Sequence, residues 1–286
     1  MISIVGIGTG ASAIARKFGD VKQYDVYELN NAVEKNTKRK RNLKALASPE
    51  EYERNVPDLK KFFKDLKDVV QVFIVGTTYS SNYSLGVLEQ MKNKKIEVFY
   101  IKPDIELVNG ERLLIENTTF GVLQEYARSG LFESFTVFSN LEIEKTLGDI
   151  PIKSYYDTIN NAIFSAVHYL NYFTHAEPEI GQVAKPAEIN RIRSIAVLNP
   201  KNLQENWLFR LDTERELCYN ICINEDELST DGSLHRRMVD MLKNKQRNAF
   251  RKISYAIYET PHQSFGYVVA HTNVIQKQAK INEENT

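Results

Sequence analysis

Gly6, Gly8 and Gly10 lie between an apolar, β-branched run, Ile2 to Gly6, and a helix-forming run, Ala11 to Phe18. Strand, glycine turn and helix together make a place for an anion. Backbone N–H groups and the positive helix end point into the turn, and glycine lets a phosphate approach closely. Ser12 is the candidate cap of this helix. The next strand, "YDVYEL", ends near Glu28, about where a dinucleotide-binding unit keeps its ribose ligand. A dinucleotide- or SAM-dependent enzyme built on Gly6 to Gly10 and Glu28 is one reading. A tight strand-to-helix turn with no ligand is another.

A second pair of candidates is Tyr156 and Asn160 in "SYYDTINNAIFSAVHYLNYFTH" (Ser154 to His175). Residues four apart share a helix face. A phenol ring offers a flat surface to a purine, and an amide offers a donor and an acceptor to the base edge. The competing reading is a buried Tyr and Asn making ordinary helix contacts. The segment is apolar nearly all round, which predicts a long helix buried on several sides.

The elements that position these residues alternate through the first 175 residues. In "SPEEYERNVPDLKKFFKDLKDV", Ser48 caps, Pro49 takes the first helical position, and Glu50 and Glu51 suit the positive end. "VQVFIVG" is a buried strand, followed by "TTYSSNYS" and the helix "LGVLEQMKN". "KIEVFYIKP", the long helix "ERLLIENTTFGVLQEYARSG" and the strand "SFTVFSN" complete the series. This order predicts a parallel sheet with helices on both faces. After the two-proline linker "AEPEIGQVAKPAE" the pattern changes. "RSIAVLNP", "ENWLFRLD" and "ELCYNICIN" read as strands, and "GSLHRRMVDMLKNKQ" as a helix. "KISYAIYET" and "SFGYVVAHT" read as a strand pair joined around Pro261. The division expected is residues 1–175 with the central helix, a smaller α+β domain over 176–276, and a polar, frayed tail over 277–286.

Composition narrows the function. Of 286 residues, 42% are hydrophobic and 26% charged, and Lys+Arg and Asp+Glu are both 37, so no global field draws the chain to nucleic acid or membrane. Two local basic runs, Lys35 to Lys44 and His235 to Lys252, read as solvated helix faces or as docking sites for an acidic partner. Cys218 and Cys222 sit on one face of a strand, too far apart to bond. Two cysteines and no signal peptide suit a reducing cytoplasm. The five histidines have no metal-ligand spacing, and no apolar run reaches the roughly 20 residues that span a bilayer.

Taken in order, these segments resemble the tubulin/FtsZ family of filament-forming GTP-binding proteins. "IVGIGTGASAI" resembles the first nucleotide loop of that family. "SPEEYERNVPDLKKFFKDLKDVVQVFIVG" is similar to the stretch leading to its signature loop, and "FTVFSNLEIEKTL" to the strand ending in Ile-Pro-Asn. "SYYDTINNAIFSAV" resembles the start of the central helix, and the stretch from "LCYNICIN" to "VVAHT" the second domain. The resemblance implies an α/β fold with a parallel-sheet nucleotide-binding domain, a long central helix and a smaller α+β C-terminal domain. It implies GTP or GDP as ligand, with Mg²⁺ accompanying the phosphates. Gly8, Thr9, Gly10, Ala11 and Ser12, with Thr77, Thr78, Ser80, Ser81 and Asn82, are then expected to cradle phosphates. Asn140, Tyr156 and Asn160 are expected to hold the base.

The chain departs from the family pattern in three places. The signature Gly-Gly-Gly-Thr-Gly-Ser/Ala-Gly is replaced by "GTTYSSNYSLG", with Tyr79 and Tyr83 bulky where the backbone must come close. The water-polarising acids reduce to Glu188 in "VAKPAE", with Lys185 at the first acidic position. In "KPDIELVNGERL", Pro103 and Gly110 correspond, Asn109 replaces a glutamate and the arginine shifts to Arg112. The expectation is a compact, phage- or plasmid-type tubulin-like protein that self-associates head to tail, alone or with a DNA-bound or other adaptor. A scaffold of the same fold that neither binds nor hydrolyses GTP is the alternative.

Overall fold

The computed structural model describes residues 1–105, 108, 110–245 and 251–278, and all of their side chains except those of 49, 79, 80 and 111. Five parallel strands form its first half: β1 (Ile2–Ile7), β2 (Tyr24–Asn30), β4 (Val69–Val75), β5 (Lys95–Lys102) and β6 (Ser134–Ser139). They lie in the order β2-β1-β4-β5-β6, with the short β3 (Lys40–Asn42) outside β2. These strands are apolar almost throughout because both faces are covered. Helices α1 (Thr9–Arg16), α5 (Asn140–Leu147) and α6 (Tyr155–Phe173) cover one face, and α2 (Pro49–Arg54), α3 (Ser84–Glu89) and α4 (Gly110–Arg128) the other. Under α6 the rings of Phe73, Phe99 and Phe138 stack across β4, β5 and β6 at 5.0 and 6.4 Å.

Local boundaries follow from side-chain chemistry. Ser48 accepts from the Glu51 N–H at 3.3 Å and starts α2, as its sequence indicates. The helix stops at Asn55 because Pro57 removes a donor and pushes Val56 away from helical backbone. Ser12, expected as the cap of α1, lies inside it. The helix begins one turn earlier, with Gly8 at φ 100° as its N-cap.

The sheet continues past β6. β8 (Ile192–Asn199) lies parallel beside it through Phe135↔Ile192 and Thr136↔Arg193. Then follow β12 (Phe265–Thr272), β10 (Glu216–Asn224), β11 (Lys252–Thr260) and the edge strand β7 (Ile180–Gln182), with β9 (Gln204–Trp207) paired to β8. β11 and β12 do not pair with each other, contrary to the sequence reading. β10 lies between them, parallel to β11 and antiparallel to β12. Eight of its nine residues are buried, so it takes a central position. The crossover through α7 (Glu225–Thr230) and α8 (Leu234–Lys243) is long enough to return β11 in parallel. Leu234, Met238 and Leu242 seat α8 on Leu217, Tyr219 and Ile221 of β10. Cys218 and Cys222 are free and buried, and burial raises both thiol pKa values, that of Cys222 to about 12. The basic run 35–44 is a loop and edge strand rather than a helix face.

Candidate nucleotide-facing edge

The candidate residues of the first half meet at the C-terminal ends of the parallel strands, where ligands of open α/β sheets collect. Gly6 lets α1 press onto β1: a Cβ there would lie 2.7 Å from the backbone of Ala11 and Ser12. The first intrahelical bond runs from Ser12 N–H to Gly8 O at 2.8 Å. The N–H groups of Thr9, Gly10 and Ala11 precede it, and α1 has neither a side-chain cap nor an acid in its first turn. A Cβ on Gly10 would reach Val75 at 3.4 Å, ordinary contact. Thr9 is exposed and donates to Asn31 Oδ1 at 3.2 Å.

Ser12 does not face this turn. Its side chain is fully buried, donates to Gly6 O at 3.3 Å and accepts from Asn30 Nδ2 at 2.8 Å. Asn30, at the end of β2, also accepts from Ala32 N–H. It therefore braces the glycine turn, a role that an asparagine at a strand end did not announce in the sequence.

The loop after β4 springs from Gly76. A Cβ there would meet Tyr100 Oη at 2.6 Å. Thr77 follows in the left-handed region at φ 61°, where a β-branched residue is strained. Thr78 then starts a 3₁₀ turn, Tyr79–Tyr83. Two of the hydroxyls expected as phosphate donors are committed within the loop. Thr78 donates to Val75 O at 2.9 Å and Ser81 to Thr78 O at 2.6 Å. Asn82 is half-buried, and the Ser80 and Tyr79 side chains lie outside the described ones. Tyr83 does not crowd the loop. It is buried against Tyr52, ring centres 4.7 Å apart, and donates to Lys44 O at 3.0 Å.

Asn140 opens α5, capped by Ser139. Tyr155 donates to Glu144 at 2.7 Å and so fixes the head of α6 against α5. Burial and that carboxylate raise the Tyr155 pKa to about 12. On the other flank Lys17, just past α1, pairs with Asp157. Tyr156 and Asn160 lie between the sheet-facing stripe of Ile159 and Ile163 and this α1-facing flank. Tyr156 is 71% exposed, its ring meeting that of Tyr155 edge-on. Farther down α6, Asn171 exchanges hydrogen bonds with Gln71 of β4 and donates to Tyr24 Oη, which also bonds His168 Nδ1. This network holds the lower half of the helix to the strand starts.

Glu188 is separated from this group. It is exposed in the turn before β8, whose first residue, Ile192, pairs with Phe135 at the start of β6. That is the opposite edge of the sheet. Glu28 is no free ribose ligand: it is buried, 2.9 Å from Lys40 and 3.7 Å from Arg16. Asn109 lies outside the described residues, and Arg112 is exposed on α4. Among the described residues no cluster of three or more His, Cys, Asp or Glu could hold a metal ion.

These features define an α/β protein whose anion-receptive glycine turn and exposed aromatic share one sheet edge, at the head of a long central helix. No protein-family model matches the chain, and no curated protein matches it in sequence. Among solved structures it is similar to an empty FtsZ dimer of M. jannaschii, with a TM-score of 0.68 at 13% identity over 99% of this chain and 94% of that one. It is similar to TubZ of Bacillus thuringiensis serovar israelensis in a GTPγS-form protofilament (0.68, 10%, 96% and 86%). It is also similar to CetZ2 of Haloferax volcanii in a GTPγS-bound protofilament (0.65, 11%, 95% and 92%). The chain therefore has the tubulin/FtsZ-like fold, at an identity that shows the fold alone. No described helix is long and apolar enough to cross a membrane.

Proposed function

We propose that this protein binds a guanine nucleotide at the glycine-turn edge and assembles head to tail. The observation that carries the reading is the uncapped start of α1 beside the exposed Tyr156 ring at the head of α6. One takes phosphate on backbone N–H groups, the other takes a base on its face. Asn140 and Asn160 then hold the base edge. The similar TubZ and CetZ2 structures are GTPγS-form and GTPγS-bound protofilaments, which supports the same ligand class here. With no acidic cage among the described residues, a Mg²⁺ ion would rest mainly on phosphate oxygens.

Glu188 serves this reading only in a polymer. From the opposite edge it orients water against the nucleotide of the next copy. Exposed apolar residues mark both edges: Ile152, 93% exposed, with Tyr156 above, and Ile189, 64% exposed, with Tyr172 below. A head-to-tail contact that does not close produces a filament. The partners are copies of this chain in the cytoplasm, and a DNA-bound or other adaptor. Residues 1–175 and 176–276 are the two working units. Sedimentation and electron microscopy with and without GTP test this: filaments form with GTP and fail with Ile152→Asp. A monomer that ignores GTP at millimolar concentration refutes it.

A second reading, a scaffold of the same fold without GTP chemistry, draws on the 77–83 loop. There the Thr78 and Ser81 hydroxyls are bonded inward and Thr77 replaces a glycine. Assembly indifferent to nucleotide selects it.

A further inference from the structure

The outer edge of the sheet carries charge that neither the nucleotide edge nor the polymer ends use. From Lys35 to Lys44 there are six Lys or Arg and no acid. This segment forms β3 and its flanking loop at the free edge of the twelve-stranded sheet. The acids beneath it are already oversubscribed. Asp25 takes both Arg39, at 2.5 Å, and Lys67, at 3.4 Å. Glu28 takes both Lys40 and Arg16. Because β2 alternates its faces, Asp25 gathers cations on one side of the edge and Glu28 on the other. Arg39 is further seated over the Tyr27 ring at 5.8 Å. Lys35, Lys38, Arg41 and Lys44 have no ion-pair partner among the described residues. Glu34 is the one acid between residues 31 and 47.

We propose that this edge binds the phosphate backbone of duplex nucleic acid, without reading its sequence. The character of the surface selects that partner. Among the described residues, none of the large apolar side chains left exposed lies between residues 2 and 104. A lipid surface engages apolar wedges beside its cations, and a protein interface centres on a buried aromatic anchor. This edge has neither. Tyr27 is buried, so no ring is offered to a base. What remains is a row of cations, Arg39 and Lys40 held by Asp25 and Glu28 and the others exposed or half-buried without a carboxylate, which phosphates recognise through counterion release. β3 pairs with Glu28, Leu29 and Asn30 at the C-terminal end of β2, so the basic edge flanks the glycine turn, yet none of its cations is assigned to nucleotide binding or head-to-tail contact. The inference does not depend on either.

The test is fluorescence anisotropy of a 30-base-pair duplex with the full chain at 50, 100 and 200 mM salt. Four phosphate contacts give a log–log salt slope of about −3.6, an affinity loss of about 150-fold between 50 and 200 mM. Lys35→Gln, Lys38→Gln and Lys44→Gln together remove exposed side chains that have no ion-pair partner among the described residues, so the protein keeps its melting temperature. The triple variant shallows the slope by about 2.7. An Arg236→Gln variant on α8, far along the sheet, leaves it unchanged. Equal slopes for wild type and triple variant overturn the proposal. So does absence of binding at 50 mM salt, or stronger binding to anionic vesicles or polyglutamate than to the duplex. In those cases the cations only shield the sheet edge from pairing, serve a lipid surface, or serve an acidic protein.

Discussion

Beneath the loop that begins at Gly76, Lys102 Nζ lies 3.1 Å from Glu116 Oε1, with the two side chains 10% and 0% exposed. The ammonium also sits 3.7 Å from the centre of the Phe120 ring, and Tyr100 Oη donates to the same carboxylate at 3.4 Å. At an effective dielectric constant of about 20, the pair attracts by about 5 kcal/mol. Taking two ions out of water costs several kcal/mol each. Burial lowers the Lys102 pKa even though Glu116 pulls it upward. Desolvation therefore outweighs the attraction, and the pair stabilises little while each half depends on the other. Glu116→Leu strands a buried ammonium and Lys102→Met a buried carboxylate, so each single change costs about 3–5 kcal/mol. The double variant returns to within about 1 kcal/mol of wild type or exceeds it, a coupling of about 3 kcal/mol or more. Urea unfolding followed by circular dichroism measures this. Fluorescence of Trp207, the single tryptophan, reports the far half of the sheet separately. A double variant that loses the sum of the single losses refutes the reasoning, as does a Glu116→Leu cost below about 1 kcal/mol.

Three further outcomes follow from the same structure. Gly76→Ala forces a Cβ to 2.6 Å from Tyr100 Oη and costs about 1–3 kcal/mol; Tyr100→Phe recovers part of it in the double variant, seen as a partial return of the melting temperature. Burial first and Arg193 second hold the His271 pKa down to about 3, against a backbone hydrogen bond to Asn190 that raises it. Its unfolded value is about 6.5, so the stability it contributes is full above that pH and is lost as pH falls toward 3, at up to about 1.4 kcal/mol per unit; His271→Gln flattens that slope in melts from pH 7 to 4. Tyr156→Ala removes an exposed ring and leaves the melting temperature unchanged, while calorimetric GTP affinity falls by the roughly 1–3 kcal/mol of one aromatic–base stack. Unchanged affinity would place the base elsewhere.

Much of this molecule is determined by local chemistry that a single sequence carries. Short apolar, β-branched runs such as "VQVFIVG" favour strands buried on both faces, and the cap Ser48 with Pro49 sets the start of α2 without tertiary help. The glycine turn was legible for the same reason, because Gly8 at φ 100° is a backbone demand written in residue type. Side-chain direction and strand neighbours are not local properties, and these the tertiary structure decided. Ser12 and Tyr83 have the residue types of a loop that touches a ligand. Ser12 is drawn inward by Asn30, and Tyr83 by Tyr52 and the Lys44 carbonyl, partners 18 to 39 residues away. β11 and β12 look like a hairpin until β10, more deeply buried than either, takes the place between them. Glu188 follows the central helix in the sequence, and only the sheet sets it at the edge opposite Tyr156. Propensity and pattern act over a few residues, whereas competition for burial and hydrogen-bond partners is settled across the whole chain.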